Sequence, residues 1–438
     1  MSAPAYAFYG DDFTGATDTL AHLARAGLRT MLFLRVPDES CLAGAGPLDA
    51  IGVAGAARSM APAAMREELD AVGARFAALG ARVMHYKVCS TFDSAPEVGS
   101  IGVAVRTLGA HFANPLRMVV GGQPDLRRYC VFGQLFAATG ADDGQPVHRI
   151  DRHPTMSRHP VTPMHEADLR LHLRAQGLED VVSIDWRAYA QDDSVLKARV
   201  DEALQPRPDA LLFDVQAEPH LRAIGRLMRE SAAQQPLLVV GASSVAQAWL
   251  LADDVRPGVV PRDGERVARA QGPVLVLAGS LSPRTQAQIE AAISYLRVRL
   301  EPERMTDERE GEAYLREQVN AIAAALAQGR NVLAYTDRTR IGGVAEARGN
   351  ALALACGALL DGVLRRAPVR RLGVAGGDTS SFAVRALGAW AISYHASLAP
   401  GVALCRLHAD DAHLDGLELM LKGGQMGDAD LFERLIAG

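Results

Sequence analysis

"AYAFYGDDFTGATDTLAHLARAG", residues 5–27, decides the fold class. Its first six residues are apolar or aromatic up to Gly10, which reads as a buried strand. From Thr14 the apolar positions recur with helical spacing, and Gly27 closes the run. A buried strand turning straight into a helix is the opening move of a parallel βα fold. Between the two stand Asp11 and Asp12. Thr14 is placed to cap the helix, Gly15 to ease the turn and Asp18 to favour the first-turn dipole. Those needs leave two adjacent aspartates unexplained, and of the pair Asp12 is the better candidate for chemistry.

The same rhythm continues outward. "RTMLFLRV" (29–36), "DAIGVAG" (49–55), "RVMHYKV" (82–88) and "LRMVVGG" (116–122) read as further strands of this series, with a helix over about 62–79. "VVSID" (181–185), "ALLFDV" (210–215) and "PLLVVGASS" (236–244) return to it after a proline-rich excursion at 146–166. The polar stretch 253–272 reads as a linker. Beyond it "GPVLVLAGS" (272–280), a helix with Ser282 as N-cap and Pro283 at its first position, "NVLAYT" (331–336), "RRLGVAGGDTSSFAVRALG" (370–388) and "LELMLKGGQMG" (417–427) form a second series. The fold class expected is α/β: two domains, 1–255 and 256–438, each a mostly parallel sheet flanked by helices. Ligands in such folds gather at the carboxyl ends of the strands. Asp11, Arg58, the segment after Lys87 and the loop after Val120 all fall there.

Composition bounds the partners. The chain has 438 residues and a net charge of −5, which points away from nucleic acid and anionic membranes. No apolar run approaches the roughly 18 residues of a membrane span, and the N-terminus lacks a basic signal region. Five scattered cysteines without a C-x-x-C pair fit a reducing cytoplasm and argue against a cysteine zinc site. Only three lysines occur, Lys87, Lys197 and Lys422, and none stands in the Gly-Lys-Ser/Thr of a Walker loop. No G-x-G-x-x-G follows the first strand.

Three turns of the second series, "AGSLSPRT" (278–285), "AGGDTSS" (375–381) and "LKGGQMG" (421–427), place glycine and hydroxyl residues at strand ends. There the backbone can approach a phosphate closely. In the first series "HYKVCSTFDSAPEVGSIG" (85–102) gathers Lys87, Ser90, Thr91, Asp93 and Ser94, suited to a hydroxylated acid, or else to capping a helix beginning near Pro96. Arg58 has the planar fork that takes a carboxylate in bidentate fashion. His153, His159 and "HEADLRLH" (165–172) match no common metal-ligand spacing.

Together these motifs resemble the four-carbon acid sugar kinase family, two-domain enzymes that phosphorylate tetronates such as threonate, erythronate or 3-oxo-tetronate. The resemblance runs in order through "DDFTGATD" (11–18), "YKVCSTFDS" (86–94), "GSIG" (99–102), "HPVTPMHEADL" (159–169), "GSLS" (279–282), "GGDTSS" (376–381), "APGV" (399–402) and "LKGGQMG" (421–427). The chain departs from the family pattern at "KGGQMG" (422–427), "LRRYCVFG" (126–133) and "GASS" (241–244). The resemblance implies a cytoplasmic enzyme using ATP and Mg²⁺, with the acid on the N-terminal domain, ATP on the C-terminal one and the active site in the cleft between. It places Asp11, Asp12, Arg58, Lys87, Ser90, Thr91 and Asp93 near the acid. It places Gly279, Ser280, Ser282, Gly376, Gly377, Asp378, Thr379, Gly401, Lys422, Gly423 and Gly424 near the nucleotide. On this reading Arg58 and the 90–94 turn hold the carboxylate and hydroxyls, while Asp12 or Asp93 accepts the hydroxyl proton. Asp11 supports its neighbour or reaches Mg²⁺ through water. Monomer and homodimer both remain open. Two other classes fit parts of the pattern: a sensor that binds acid or nucleotide without turnover, and a metal-assisted hydrolase built on Asp11, Asp12 and nearby histidines.

Overall fold

The computed structural model describes residues 3–139, 144–159, 161–252, 267–279, 282–336, 345–376, 384–399, 401–424 and 426–438, apart from the side chains of 345–350. The chain divides into two compact units. Met1–Thr30 with Leu42–Pro261 forms the first, and Met31–Cys41 with Arg262–Gly438 forms the second.

In the first unit the strands Ala50–Ala54, Tyr6–Gly10, Val83–Lys87, Leu237–Gly241, Arg117–Gln123, Ala210–Asp214 and Val181–Ile184 lie side by side in that order, all parallel. Every residue of the four strands Ala50–Ala54, Tyr6–Gly10, Val83–Lys87 and Leu237–Gly241 is buried. That is why they read as unbroken apolar runs: helices cover both faces of a parallel sheet. Past its ladder with Ala210–Asp214, the strand Arg117–Gln123 turns into an antiparallel flap of Arg128–Val131, Gln134–Ala138 and Val147–Arg149. The proline-rich excursion holds that last short strand and two single 3-10 turns, Ile150–Arg152 and Met156–Arg158.

The helix expected near Pro96 begins later, at Ile101, because Ser100 is its N-cap and accepts from the Val103 N–H at 3.3 Å. "GSIG" around it is a spacing device. Gly99 has φ +63°, and a Cβ there would lie 2.5 Å from the Arg58 carbonyl oxygen. A Cβ on Gly102 would lie 2.1 Å from the Gln176 carbonyl oxygen.

In the second unit Leu296–Leu300, Val332–Thr336, Val274–Ala278, Arg371–Ala375 and Glu418–Lys422 are parallel in that order. Val402–His408 and Ala391–Ala399 then continue the sheet antiparallel. Thr30–Phe33 does not join the first series. It pairs antiparallel with Ala391–Ala399, setting Leu32 opposite Ile392 and Phe33 opposite Ala391. Its four buried apolar or β-branched residues specify a strand but carry no information about which sheet it enters.

Candidate active site

Three neighbouring strands of the first unit deliver the candidate residues at their carboxyl ends. The ends are laced by backbone hydrogen bonds: Gly55 N–H to Gly10 O at 2.9 Å, Asp11 N–H to Lys87 O at 2.9 Å and Arg58 N–H to Asp11 O at 3.0 Å. Asp12, not Thr14, is the N-cap of the helix Phe13–Arg25. Its Oδ1 accepts from the Gly15 N–H and from Thr14 Oγ1, the latter at 3.1 Å. Capping therefore accounts for one oxygen of Asp12 and leaves Oδ2 for other work.

Arg58 occupies the centre of three aspartates. Its Nε and Nη2 take Asp11 at 3.2 and 2.8 Å, Nη2 also pairs with Asp12 Oδ2, and Nη1 lies 3.9 Å from Asp93 Oδ2. The fork that the sequence offers to a ligand carboxylate is paired here with the protein's own carboxylates. Burial would lower the Arg58 guanidinium, but Asp11, Asp12 and Asp93 hold it well above its ordinary value. Burial pushes the Asp11 carboxyl up, and Arg58 only partly offsets it. For Asp12 burial is outweighed by Arg58, Lys87 and the Gly15 N–H, which together hold it at about 2. Asp93 is lowered too, because Arg58, Thr91 and His159 overcome burial. Exposure separates the three: the side chain of Asp12 is 17% exposed, against 5% for Asp11 and 4% for Asp93. Asp12 is the carboxylate a ligand can reach.

Lys87 is buried at the end of its strand beside this cluster. A Cβ added to Gly15 would lie 1.8 Å from its Nζ, so the glycine of "TGA" is the space the ammonium fills. The following turn is held internally: Thr91 Oγ1 donates to Asp93 Oδ1 at 2.5 Å, and Cys89 Sγ lies 2.9 Å from Thr91 Oγ1. Burial, then Asp93, raises the Cys89 thiol to about 11, so it stays protonated. Phe92 adopts φ +56° with its side chain fully buried, a left-handed conformation that aims Thr91 and Asp93 inward. Ser90 is half-buried in the same turn.

His172 and Gln176 hold Ser94 in a support that sequence reading missed. His172 Nε2 is 2.9 Å from Ser94 Oγ, Gln176 Nε2 donates to Ser94 Oγ at 2.8 Å, and Gln176 Oε1 accepts from the Ile101 N–H at 2.7 Å. The i, i+4 spacing of His172 and Gln176 was the available signal. His153 and His159 organise loops: His153 Nδ1 accepts from the N–H groups of Thr155 and Met156, and His159 Nδ1 from that of Thr162. Among the described residues no group of three metal-ligating side chains is present.

The second unit builds its turns in the same way. Gly279 N–H bonds Ala375 O, and Gly376 N–H bonds Lys422 O, each at 2.9 Å, lacing three adjacent strand ends. Ser282 caps the helix Pro283–Ala291, accepting from the Thr285 N–H at 3.1 Å, and its hydroxyl also donates to Gly424 O. Lys422 is fully buried, and its Nζ donates to Thr285 Oγ1 at 2.9 Å and Gln288 Oε1 at 2.8 Å, with Gly424 O at 3.5 Å. Gln288 in turn donates to the carbonyls of Met426, Gly427 and Asp428. Lys422 thus ties the 423–428 turn to the 282–288 helix start. Gly401 has φ +69° at its hairpin turn, and a Cβ there would strike Met426 Cε at 2.1 Å. Gly423 sits in the laced turn, whereas Ser280, Gly377, Asp378 and Thr379 lie outside the described residues.

Residues 6–249 match the model of a sugar-binding N-terminal domain, and residues 275–432 that of a nucleotide-binding C-terminal domain. The 3-oxo-isoapionate kinase of Paraburkholderia graminis is 40% identical over 97% of this chain and 93% of its own. The chain belongs to the four-carbon acid sugar kinase family. Another relative, the 3-oxo-tetronate kinase of Methylobacterium radiotolerans, is 32% identical over 97% of both chains. Solved structures from Salmonella typhimurium and Haemophilus influenzae share the fold over 98% of both chains, with TM-scores of 0.77 and 0.70 at 22% identity.

For this sugar-acid kinase two of the packing features give direct tests. Gly15→Ala adds a residue worth about 1 kcal/mol in helix propensity, yet drives a methyl into the Lys87 ammonium. We expect an unchanged or higher melting temperature together with a roughly tenfold higher KM for the acid, the scale of one lost charge-assisted contact. Steady-state kinetics beside thermal melts check it, and an unchanged KM would remove Lys87 from the binding role.

Lys422 tests the other unit. Burial, then Arg284, lowers its ammonium to about 7 from an ordinary value near 10.5. Between those values the unfolded chain binds a proton that the folded chain does not, so this group makes stability rise with pH across that window. Lys422→Met is expected to remove that rise: plotted against pH from about 7 to 10, wild-type melting temperature should climb relative to the variant. Parallel curves would contradict the buried, carboxylate-free setting described for Lys422.

Proposed function

We propose that this kinase transfers the γ-phosphoryl group of ATP to a hydroxyl of a 3-oxo sugar acid, residues 1–255 holding the acid and 256–438 the nucleotide. The names of its relatives support that substrate class, since both carry a 3-oxo group and a carboxylate. The higher identity favours the isoapionate-type acid over the linear tetronate. The observation that carries the catalytic assignment is the carboxylate of Asp12, more exposed than those of Asp11 and Asp93, fixed by its own cap and by Arg58 and set beside Lys87.

The attacking hydroxyl oxygen forms a bond to the γ-phosphorus while the bond to the bridging oxygen of ADP breaks. A carboxylate held at about 2 is a weak base. In a loose transition state that suffices, because the proton leaves late. Asp12 therefore accepts the hydrogen bond of the hydroxyl, orients its lone pair, and takes the proton as the new P–O bond completes. Asp93, with Thr91 on one oxygen and Arg58 facing the other, keeps Arg58 in place. Ser90 is positioned to meet a substrate hydroxyl. On the nucleotide side the turns that hold Gly279, Ser282, Gly376, Gly423 and Gly424 take the phosphates, their glycines letting a phosphate come close to the backbone. Lys422 holds that cradle in shape. Mg²⁺ accompanies ATP as part of the substrate and neutralises phosphate charge.

ADP release measured with 3-oxo-isoapionate, 3-oxo-tetronate, threonate and erythronate tests this reading. Acid-dependent turnover, highest with a 3-oxo acid, is expected. No acid-dependent ADP from any of the four would overturn it.

A further inference from the structure

The acid-side cluster sets three carboxylates, Asp11, Asp12 and Asp93, against two cations, Arg58 and Lys87. If the ligand is a sugar acid, as proposed above, it brings a further negative charge to a site already net negative, which is unfavourable without another cation. Arg58 cannot supply the balance, because its fork is filled by the aspartates. We propose that Arg128 binds the carboxylate of the sugar acid.

Arg128 opens the strand Arg128–Val131 and lies opposite Gln123, at the carboxyl end of Arg117–Gln123. This is the edge of the sheet that also carries Gly10 and Lys87. Cys89, in the turn between Lys87 and Asp93, is close enough to act on the Arg128 guanidinium. Nη1 donates to the Leu126 carbonyl. Nε is sealed from solvent without a hydrogen-bond partner. Among the described residues no carboxylate lies within ion-pair distance of Arg128, and Nη2 makes no hydrogen bond. The free pair, Nε and Nη2, is the side-on face of the fork that grips a carboxylate with two parallel bonds; Arg29 uses it on Asp49, at 3.0 and 2.9 Å. A buried donor left without a partner is costly, and native structures keep few of them unless a ligand or water completes the bond. Burial, with Arg127 beside it, lowers the Arg128 guanidinium, as expected of a cation lacking its counter-charge.

The test compares the full-length enzyme with Arg128→Gln and Arg128→Lys by calorimetric binding of 3-oxo-tetronate and of its neutral methyl ester. Melting temperature and the KM for ATP serve as controls for folding. In Arg128→Gln the acid should bind roughly 10- to 100-fold more weakly while the ester is unaffected. Arg128→Lys, with charge but no fork, should fall between. Equal acid affinity in wild type and Arg128→Gln, or equal losses for acid and ester, would overturn the assignment, as would a wild type that binds no acid. Because binding is read without nucleotide, acid binding without ADP release would sink the kinase reading and leave Arg128 judged on its own.

Discussion

Arg58→Gln is expected to lower the melting temperature of the acid-binding unit by roughly 10 °C and to abolish turnover, the scale set by removing one partner from a buried charge network. The reason lies in what remains. Asp11 and Asp93 are nearly sealed, and without the guanidinium both are buried beside Asp12 with only Lys87 to offset three charges. Breaking such a pair costs about 3–5 kcal/mol, more than a surface ion pair contributes, because the surviving charges stay desolvated. The defect should depend on pH. Asp12 and Asp93 are shifted down in the folded protein, so their contribution is present above about pH 4 and fades as the pH falls toward the folded value of about 2 for Asp12. Asp11, shifted up by burial, works in the opposite direction and softens the trend. The gap between wild type and variant should therefore be full near pH 7.5 and clearly smaller near pH 2.5, below the ordinary carboxylate range. Thermal melts at both values check this, and a gap of less than about 2 °C at pH 7.5 would show that the network contributes little.

Asp12→Asn is the complementary case, with turnover expected to fall by roughly a factor of 10³ and a smaller loss of stability than in Arg58→Gln, because the cap survives and only the ion pair with Arg58 is lost. Asparagine caps a helix as well as aspartate does, so the Gly15 N–H keeps an acceptor and the helix Phe13–Arg25 keeps its start. What disappears is the negative charge that accepts the hydroxyl hydrogen bond and the proton. ADP affinity should be unchanged, since the turns proposed for the nucleotide are laced by Gln288, Thr285 and Lys422 of the other unit. A kcat within fivefold of wild type would shift the orienting role to Asp93.

The sequence made the strands of the parallel sheets legible because full burial leaves apolar runs that few other elements produce. It was less informative where the pattern is shared by several outcomes. Leu296–Leu300 reads "LRVRL", an edge strand that alternates apolar and arginine residues and so lacks the apolar run of its buried neighbours. The antiparallel pair around Gly401 carries a turn signal, but nothing local says that its strands complete a parallel sheet. At the first turn Asp12 and Thr14 both suit an N-cap, and only the observed helix start at Phe13 decides between them. The site residues could be picked out because they follow strand ends; their pairings could not. Arg58 pairs with Asp11, a match made across 47 residues that no spacing rule encodes. The amine of Lys422 bonds Thr285 and Gln288, 137 and 134 residues back along the chain, partners that no motif in the sequence announces.

The strand Thr30–Phe33 has a consequence for how the chain must be made. Synthesis delivers Met31–Phe33 early, with the first helix, while its partner strand Ala391–Ala399 emerges only near the end. Until then a short apolar edge waits unpaired on the nascent chain, in need of shielding. The final fold is sewn shut by the last part of the chain reaching back to the first. A gene cut between the two units would give an N-terminal fragment carrying a loose strand, and a C-terminal fragment lacking the edge of its sheet.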